Sequence, residues 1–280
     1  MNIQEIIIKG AKTLKKNNIK TANLDSELLL LKVLKKDKKY MLLNSKKKID
    51  KKYLDNFTNL ILRRKKGEPI AYLTNYKEFW KEKYFVNNDV LIPRPDTEIL
   101  IEETLKIYDK EKRIKMLDVG TGSGCLLLSI LKERKNFLGI GIDISKKALN
   151  VARFNAKLQH LCNRVKFYNS DIDKFFNGKY DLILSNPPYI ENYNIKYLDS
   201  DVANYEPKVA LDGGWNGFTE ITRVINKASC LIKKGGKLIL EIGCHQKNET
   251  VKKLKNRNFY INKIIKDYGK NDRCIISTKI

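Results

Sequence analysis

One stretch limits the folds open to this chain more than any other: Leu182-Ile183-Leu184-Ser185-Asn186-Pro187-Pro188-Tyr189-Ile190. The apolar run Tyr180–Leu184 has the length and character of a strand buried on both faces, as in a parallel sheet. Two successive prolines end it. They remove two backbone donors and fix two φ angles, so the strand cannot continue and the loop is stiff. One amide side chain, two carbonyls and one aromatic ring are thereby collected at a strand's carboxyl end, the edge of an open α/β sheet where ligands bind. Asn186 Oδ1 and the Pro187 carbonyl suit the two hydrogens of a planar –NH2 group, and Tyr189 is placed to cover its face. A plain proline turn after a strand would use the same residues, so the stretch needs support from elsewhere.

That support comes upstream. From residue 114 onward, strands and helices alternate. Strands are expected at 114–119, 136–143, 165–168, 180–184 and 236–242, with a closing pair at 260–266 and 273–278. Helices are expected at 123–133, 145–158, 217–232 and 247–256. This is a doubly wound sheet with crossovers. The first strand ends in Asp118-Val119-Gly120-Thr121-Gly122-Ser123-Gly124, where glycines let the backbone turn sharply and approach a ligand. The spacing is G-x-G-x-G, not the G-x-G-x-x-G that seats a pyrophosphate. The second strand ends at Asp143, placed to accept hydrogen bonds from ribose hydroxyls. A ribose without a neighbouring phosphate fits S-adenosylmethionine better than NAD. Asp171 and Ile172 follow the third strand, where the adenine belongs.

The segment before the sheet reads differently. No proline precedes Pro69, and residues 3–16, 23–36 and 50–66 carry helical apolar spacing, with Asn23 and Asp50 as candidate caps. Ile3, Ile6, Ile7, Ala11 and Leu14 make one helix face. The aromatic-rich segment 67–93 alternates like a hairpin. In Pro93-Arg94-Pro95-Asp96-Thr97-Glu98, helix initiation accounts for Pro95, Asp96 and Glu98. It does not need Arg94, which is free to face the site. The expected domains are 1–68 (helical, substrate-docking), 69–92 (hairpin linker) and 93–280 (catalytic).

Composition excludes several classes. With 280 residues, 42% of them hydrophobic, the chain can bury a sizeable core. Its apolar runs are too short to span a bilayer, and the N-terminus has no signal-peptide core, which predicts a cytoplasmic protein. Cysteines 125, 162, 230, 244 and 274 form no C-x-x-C pair, and with only His160 and His245 no metal-ligand spacing exists, so no metal is expected. Net charge is +24, which favours anionic partners, although lysine is abundant everywhere. Residues 1–85 hold 22 Lys+Arg against 9 Asp+Glu. The runs Lys46–Lys48 and Lys65-Lys66 read as solvated faces, with substrate docking as the sharper hypothesis.

Taken with these residues, the sequence resembles the class I S-adenosylmethionine-dependent methyltransferases. More narrowly, it is similar to the N5-glutamine methyltransferases of the HemK/PrmC type that modify peptide chain release factors. The likeness runs through the whole chain: Gly67–Leu73, Glu78-Phe79-Trp80, Ile92–Glu98, Asp118–Gly124, Asn186–Tyr189, Tyr205-Glu206-Pro207, Ala210-Leu211, Gly213-Gly214, Leu240–Gly243 with Gln246, and Asp267 with Arg273. It implies a Rossmann-like seven-stranded methyltransferase sheet behind a small helical bundle and a hairpin linker. The implied activity is methylation of the glutamine N5 in the Gly-Gly-Gln loop of release factors. Asn186, Pro187 and Tyr189 would be catalytic, and Asn186, Pro187, Pro188, Tyr189 and Arg94 would bind substrate. Gly120, Thr121, Gly122, Ser123, Gly124, Asp143, Asp171, Ile172 and Asn186 would hold S-adenosylmethionine. Some members carry an aromatic residue where this chain has Ile172, so adenine would here meet aliphatic packing. Asn-Pro-Pro-Tyr is shared with adenine-N6 methyltransferases of DNA and RNA, and a branch acting on a ribosomal protein is also similar. Pro93–Glu98 favours the release-factor branch. The implied state is a monomer that acts on a protein and has no need of nucleic acid. A degenerate, purely RNA-binding module would be expected to have lost the glycine loop, Asp143 or Asn186.

Overall fold

The computed structural model describes all 280 residues. The chain divides into two compact units, one of residues 1–76 with 199–205, the other of residues 77–198 with 206–280.

The first unit is helical. Its elements are α1 (Ile3–Lys15), α2 (Ala22–Leu34), α3 (Lys38–Leu43), α4 (Lys51–Lys65) and α5 (Ile70–Thr74). Asn2 opens α1 with a capping box: its side chain accepts from the Glu5 amide while Glu5 reaches back to the Asn2 N–H. The apolar stripe of α1 packs against Leu29 and Leu30 of α2 and Phe57 and Ile61 of α4. Inside this core, Arg64 pairs with buried Asp25 at 2.7 Å. Three expectations change here. Asn23 does not cap α2; the helix begins at Ala22 after Thr21 because Ala22 itself is buried. Asp50 does precede α4, without a side-chain cap bond. Tyr72 belongs to α5, not to a hairpin, because Ala71, Tyr72 and Leu73 are all buried on one short helix after Pro69.

The hairpin is confined to β1 (Tyr76–Phe79) and β2 (Glu82–Phe85). Its buried residues, Phe79 and Tyr84, join the core of the second unit. There follow α6 (Glu98–Ile107), β3 (Lys115–Val119), α7 (Cys125–Glu133), β4 (Leu138–Asp143), α8 (Lys146–Leu158), β5 (Val165–Asn169) and β6 (Tyr180–Ser185). After the short α9 (Ser200–Tyr205) come α10 (Thr219–Leu231), β7 (Ile232–Glu241), α11 (Lys247–Lys255), β8 (Phe259–Lys266) and β9 (Asp272–Lys279). The seven-stranded sheet has the order β5-β4-β3-β6-β7-β9-β8. β5 through β7 pair in parallel, and β9 pairs antiparallel with both β7 and β8. Two apolar clusters cover the sheet, one including Leu127, Leu128 and Leu131 of α7, the other Ile221, Val224 and Ile225 of α10.

Strand order reverses between β3 and β6. Crossovers from β3 run outward one way, and those after β6 run the other, so a crevice opens beyond the carboxyl ends of these two strands. No helix is long and apolar enough to cross a membrane.

Candidate active site

β3 and β6 pair with Val119 opposite Ser185. The two distinctive loops of the sequence therefore leave adjacent strands side by side. Ser185 Oγ donates to the Val119 carbonyl at 2.8 Å, tying the strand ends together. Beyond them lies a cavity of ≈ 370 Å³.

On the β3 side, the amides of Gly120 and Thr121 both donate to the Ile142 carbonyl, at 2.9 and 3.0 Å. The loop bends sharply, with φ of +73° at Gly120 and +54° at Gly122, values that disfavour a side chain. A Cβ added at Gly120 would meet nothing within 4 Å. The loop thus offers bare backbone to the cavity. Thr121 and Ser123 are buried behind it. Thr121 donates to Asp118 Oδ2 at 2.6 Å. Burial pushes the Asp118 carboxyl up to about 7, against the pull of that hydrogen bond. Gly124 is a packing glycine, since a Cβ there would stand 3.1 Å from Leu128 and 3.3 Å from Ala152. Of the five loop residues, Gly120 and Gly122 line the cavity, while Thr121, Ser123 and Gly124 brace the loop from behind.

Asp143, at the end of β4, also lines the cavity. Its Oδ2 accepts from the Gly122 amide at 2.9 Å and its Oδ1 from the Ser145 amide at 2.8 Å. Burial raises its pKa, and the two amides oppose the rise. Asp171 and buried Ile172 form another wall. The Asp173 amide and the Arg223 guanidinium hold the Asp171 carboxyl below the usual range.

On the β6 side, Asn186, Pro187 and Pro188 line the cavity. Asn186 Nδ2 donates to Thr97 Oγ1 at 3.0 Å, and Thr97 Oγ1 donates to Glu241 Oε2 at 2.7 Å. Thr97 and Glu241 are 5% and 1% exposed. The sequence suggests that Tyr189 covers a bound amino group, but its ring does not line the cavity. Its backbone is pressed by Gly213, where a Cβ would come within 2.8 Å, and its carbonyl accepts from Gln246 Nε2 at 3.0 Å. The hydroxyl consequently faces Glu241 at 3.4 Å and Arg273 at 3.3 Å. Burial, then the Glu241 carboxyl, raise its pKa. Arg94 likewise stays outside the lining. It pairs with Glu206 at 2.6 Å, and Glu206 also accepts from the Ile92 amide.

Sequence reasoning assigned no role to Thr97, Glu241 or Arg223. Thr97 and Glu241 stand only within stretches that resemble the family, Ile92–Glu98 and Leu240–Gly243. A buried carboxylate at the carboxyl end of an otherwise apolar strand was the available signal for Glu241.

Comparison with known proteins agrees with this geometry. A family model described as "Methyltransferase domain" matches residues 110–277, and one described as "PrmC N-terminal domain" matches residues 5–74. The chain is 37% identical to a release factor glutamine methyltransferase of Clostridium acetobutylicum, over 100% of this chain and 99% of that one. It is 38% identical to one of Fusobacterium nucleatum, over 98% of this chain and 78% of that one. A solved methyltransferase from Pyrococcus furiosus shares the fold with a TM-score of 0.55 at 19% identity, covering 80% of this chain and 98% of that one. With its full length matched at this level and its glycine loop and Asn-Pro-Pro-Tyr corner on adjoining strands, the chain belongs to the release factor glutamine methyltransferase family.

Proposed function

We propose that this protein methylates the side-chain N5 of a release-factor glutamine with S-adenosylmethionine. The observation that carries the reading is the juxtaposition of two loops on paired strands: bare glycine backbone after β3, and the Asn186–Pro188 amide and carbonyl corner after β6. The cavity residues fit the cofactor. Gly120 and Gly122 leave open space for its amino-acid part, Asp143 would accept from the ribose hydroxyls, and Asp171 with Ile172 would flank the adenine. When bound, S-adenosylmethionine supplies an electrophilic methyl group on a sulfonium.

The chain's own contribution addresses the acceptor. A glutamine amide nitrogen shares its lone pair with the carbonyl and is a poor nucleophile. Asn186 Oδ1 and the Pro187 carbonyl would accept its two N–H groups and direct the nitrogen at the methyl carbon. These bonds strengthen as positive charge develops on nitrogen, so they favour the transition state over the ground state. No strong base is needed beforehand, because the proton leaves after transfer. Arg94, held by Glu206, and Tyr189 would contact the polypeptide around the glutamine. Residues 1–68 would dock the intact substrate, with 69–92 as linker and 93–280 as the catalytic domain.

The test is a methyl-transfer assay with labelled S-adenosylmethionine, in which recombinant release factor and mixed DNA and RNA are offered in parallel. Mass spectrometry then locates the label. Label on the glutamine of the Gly-Gly-Gln loop is expected, and label confined to nucleic acid would overturn the reading. Asn186→Ala should lower kcat by about 10²–10³-fold, the usual cost of losing one transition-state hydrogen bond, with a much smaller loss of cofactor affinity.

A further inference from the structure

The amide of Asn186 has two nearly isosteric orientations, related by a half-turn about its last torsion, and only one serves the proposed chemistry. With Oδ1 toward the cavity, the residue accepts from a substrate –NH2. With Nδ2 there, two sets of donors face each other. Something must choose between the two, and the hydrogen bond that the Asn186 side chain makes is to Thr97.

The choice is made from behind. A hydroxyl has one proton to give. Thr97 gives its proton to Glu241 Oε2 at 2.7 Å, and an ionised carboxylate accepts only. Thr97 Oγ1 therefore shows Asn186 nothing but lone pairs. The edge of the amide that can meet it is the NH2, at 3.0 Å, and Oδ1 is turned the other way. The sheet explains why these residues meet. Leu240 of β7 pairs with Ser185 of β6, so Glu241 lies beside Asn186, one residue beyond the paired strand ends. Thr97 reaches both from the turn before α6. Arg273 stands on the far side of Glu241, touching the Tyr189 hydroxyl and pairing with Asp267 at 2.9 Å. Burial disfavours the carboxylate form of Glu241, and the Thr97 hydrogen bond and the Arg273 charge favour it, so the polarity holds where Glu241 is ionised.

We propose that Thr97 and Glu241 are positioning residues that hold the Asn186 amide with Oδ1 toward the substrate nitrogen. The proposal rests on the reading of Asn186 given above. Neither residue lines the cavity, so neither is expected to touch substrate or cofactor.

The experiment uses the full-length chain. It compares wild type, Thr97→Val, Thr97→Ser, Asn186→Ala and the Asn186→Ala/Thr97→Val double variant, each checked for an unchanged melting transition. In Thr97→Val, kcat should fall roughly ten- to hundredfold, the scale of a slightly misplaced reacting group. KM for release factor and the cofactor Kd should stay put. Thr97→Ser should restore kcat to near wild type. In the Asn186→Ala background, Thr97→Val should cost nothing further. Wild-type kcat in Thr97→Val, or losses that add in the double variant, would overturn the proposal. Should Thr97→Val melt early, Glu241→Gln takes its place, because a carboxamide can donate as well as accept and no longer dictates the polarity. Transfer by the wild type to an adenine amine instead of glutamine would overturn the substrate reading alone. The same variants measured on that amine would still decide the relay.

Discussion

Glu241 is a carboxylate almost sealed from water, and burial pushes it up to about 7 although Thr97 and Arg273 pull it down. The groups around it are Thr97 and Asp96 from the turn before α6, Tyr189 from the β6 loop, and Arg273 and Cys274 from β9. Its protonation bears on the neighbouring amide. A neutral carboxyl can donate to Thr97, whose own proton then turns to Asn186 and favours the flipped amide. Activity should therefore be full where Glu241 is ionised and fall as pH drops through about 7. In the enzyme–substrate complex this appears in kcat. Glu241→Gln should lower kcat and flatten that acidic limb, a result read from kcat profiles across the neutral range. Asp143 supplies a second prediction. Its carboxylate organises the Gly122 and Ser145 amides and faces the proposed ribose position. Charged hydrogen bonds are worth about 1.5–3 kcal/mol, so Asp143→Ala should weaken cofactor binding by roughly ten- to hundredfold in calorimetry. An unchanged dissociation constant would refute the ribose assignment.

Among the elements, close approach of α1 and α2 depends on Gly10. A Cβ there would lie 2.5 Å from Ser26 Oγ and 2.6 Å from Phe57 Cζ. The Ser26 hydroxyl donates to the Ile7 carbonyl at 2.8 Å, so it is not free to move aside. Alanine would gain up to about 1 kcal/mol of helix propensity but incur about 1–3 kcal/mol of overpacking. Gly10→Ala should thus destabilise the helical unit in urea unfolding and leave cofactor affinity intact. The strands were legible because short apolar runs such as Leu182-Ile183-Leu184 are cut off by turn residues, here Asn186-Pro187-Pro188, and alternate with longer helical segments. Their ends sit within a few residues of expectation. The short helices α3, α5 and α9 were not legible, because five or six residues carry too little periodicity to stand out. In the candidate site, Gly120, Gly122, Asp143 and Asn186 were visible because each stands at or just after a strand end. The pairing of Thr97 with Glu241 was not, because they lie 144 residues apart and meet only in the fold.

For the whole molecule, the open question of the sequence is whether its +24 charge serves a purpose. Lys46, Lys47 and Lys48 are exposed, as are Lys65 and Lys66, whereas neighbouring Arg64 is consumed by Asp25. Truncation is a poor way to ask. Residues 199–205 group with residues 1–76, and the Tyr205 hydroxyl donates to the Lys66 carbonyl, so a chain cut after residue 66 would leave that segment without its partner. Charge reversal at exposed lysines leaves the packing alone. If the basic face guides an intact protein substrate, changing Lys46, Lys47 and Lys48 together to Glu should raise KM for release factor by about tenfold at low salt, since each rim charge contributes up to about 1 kcal/mol. The difference should shrink as salt screens the exposed charges. A short glutamine peptide, which lacks the rest of the folded substrate, should be methylated with unchanged kcat/KM. Equal KM values for wild type and variant on intact release factor would make these lysines ordinary solvated surface and remove charge as support for docking by residues 1–68.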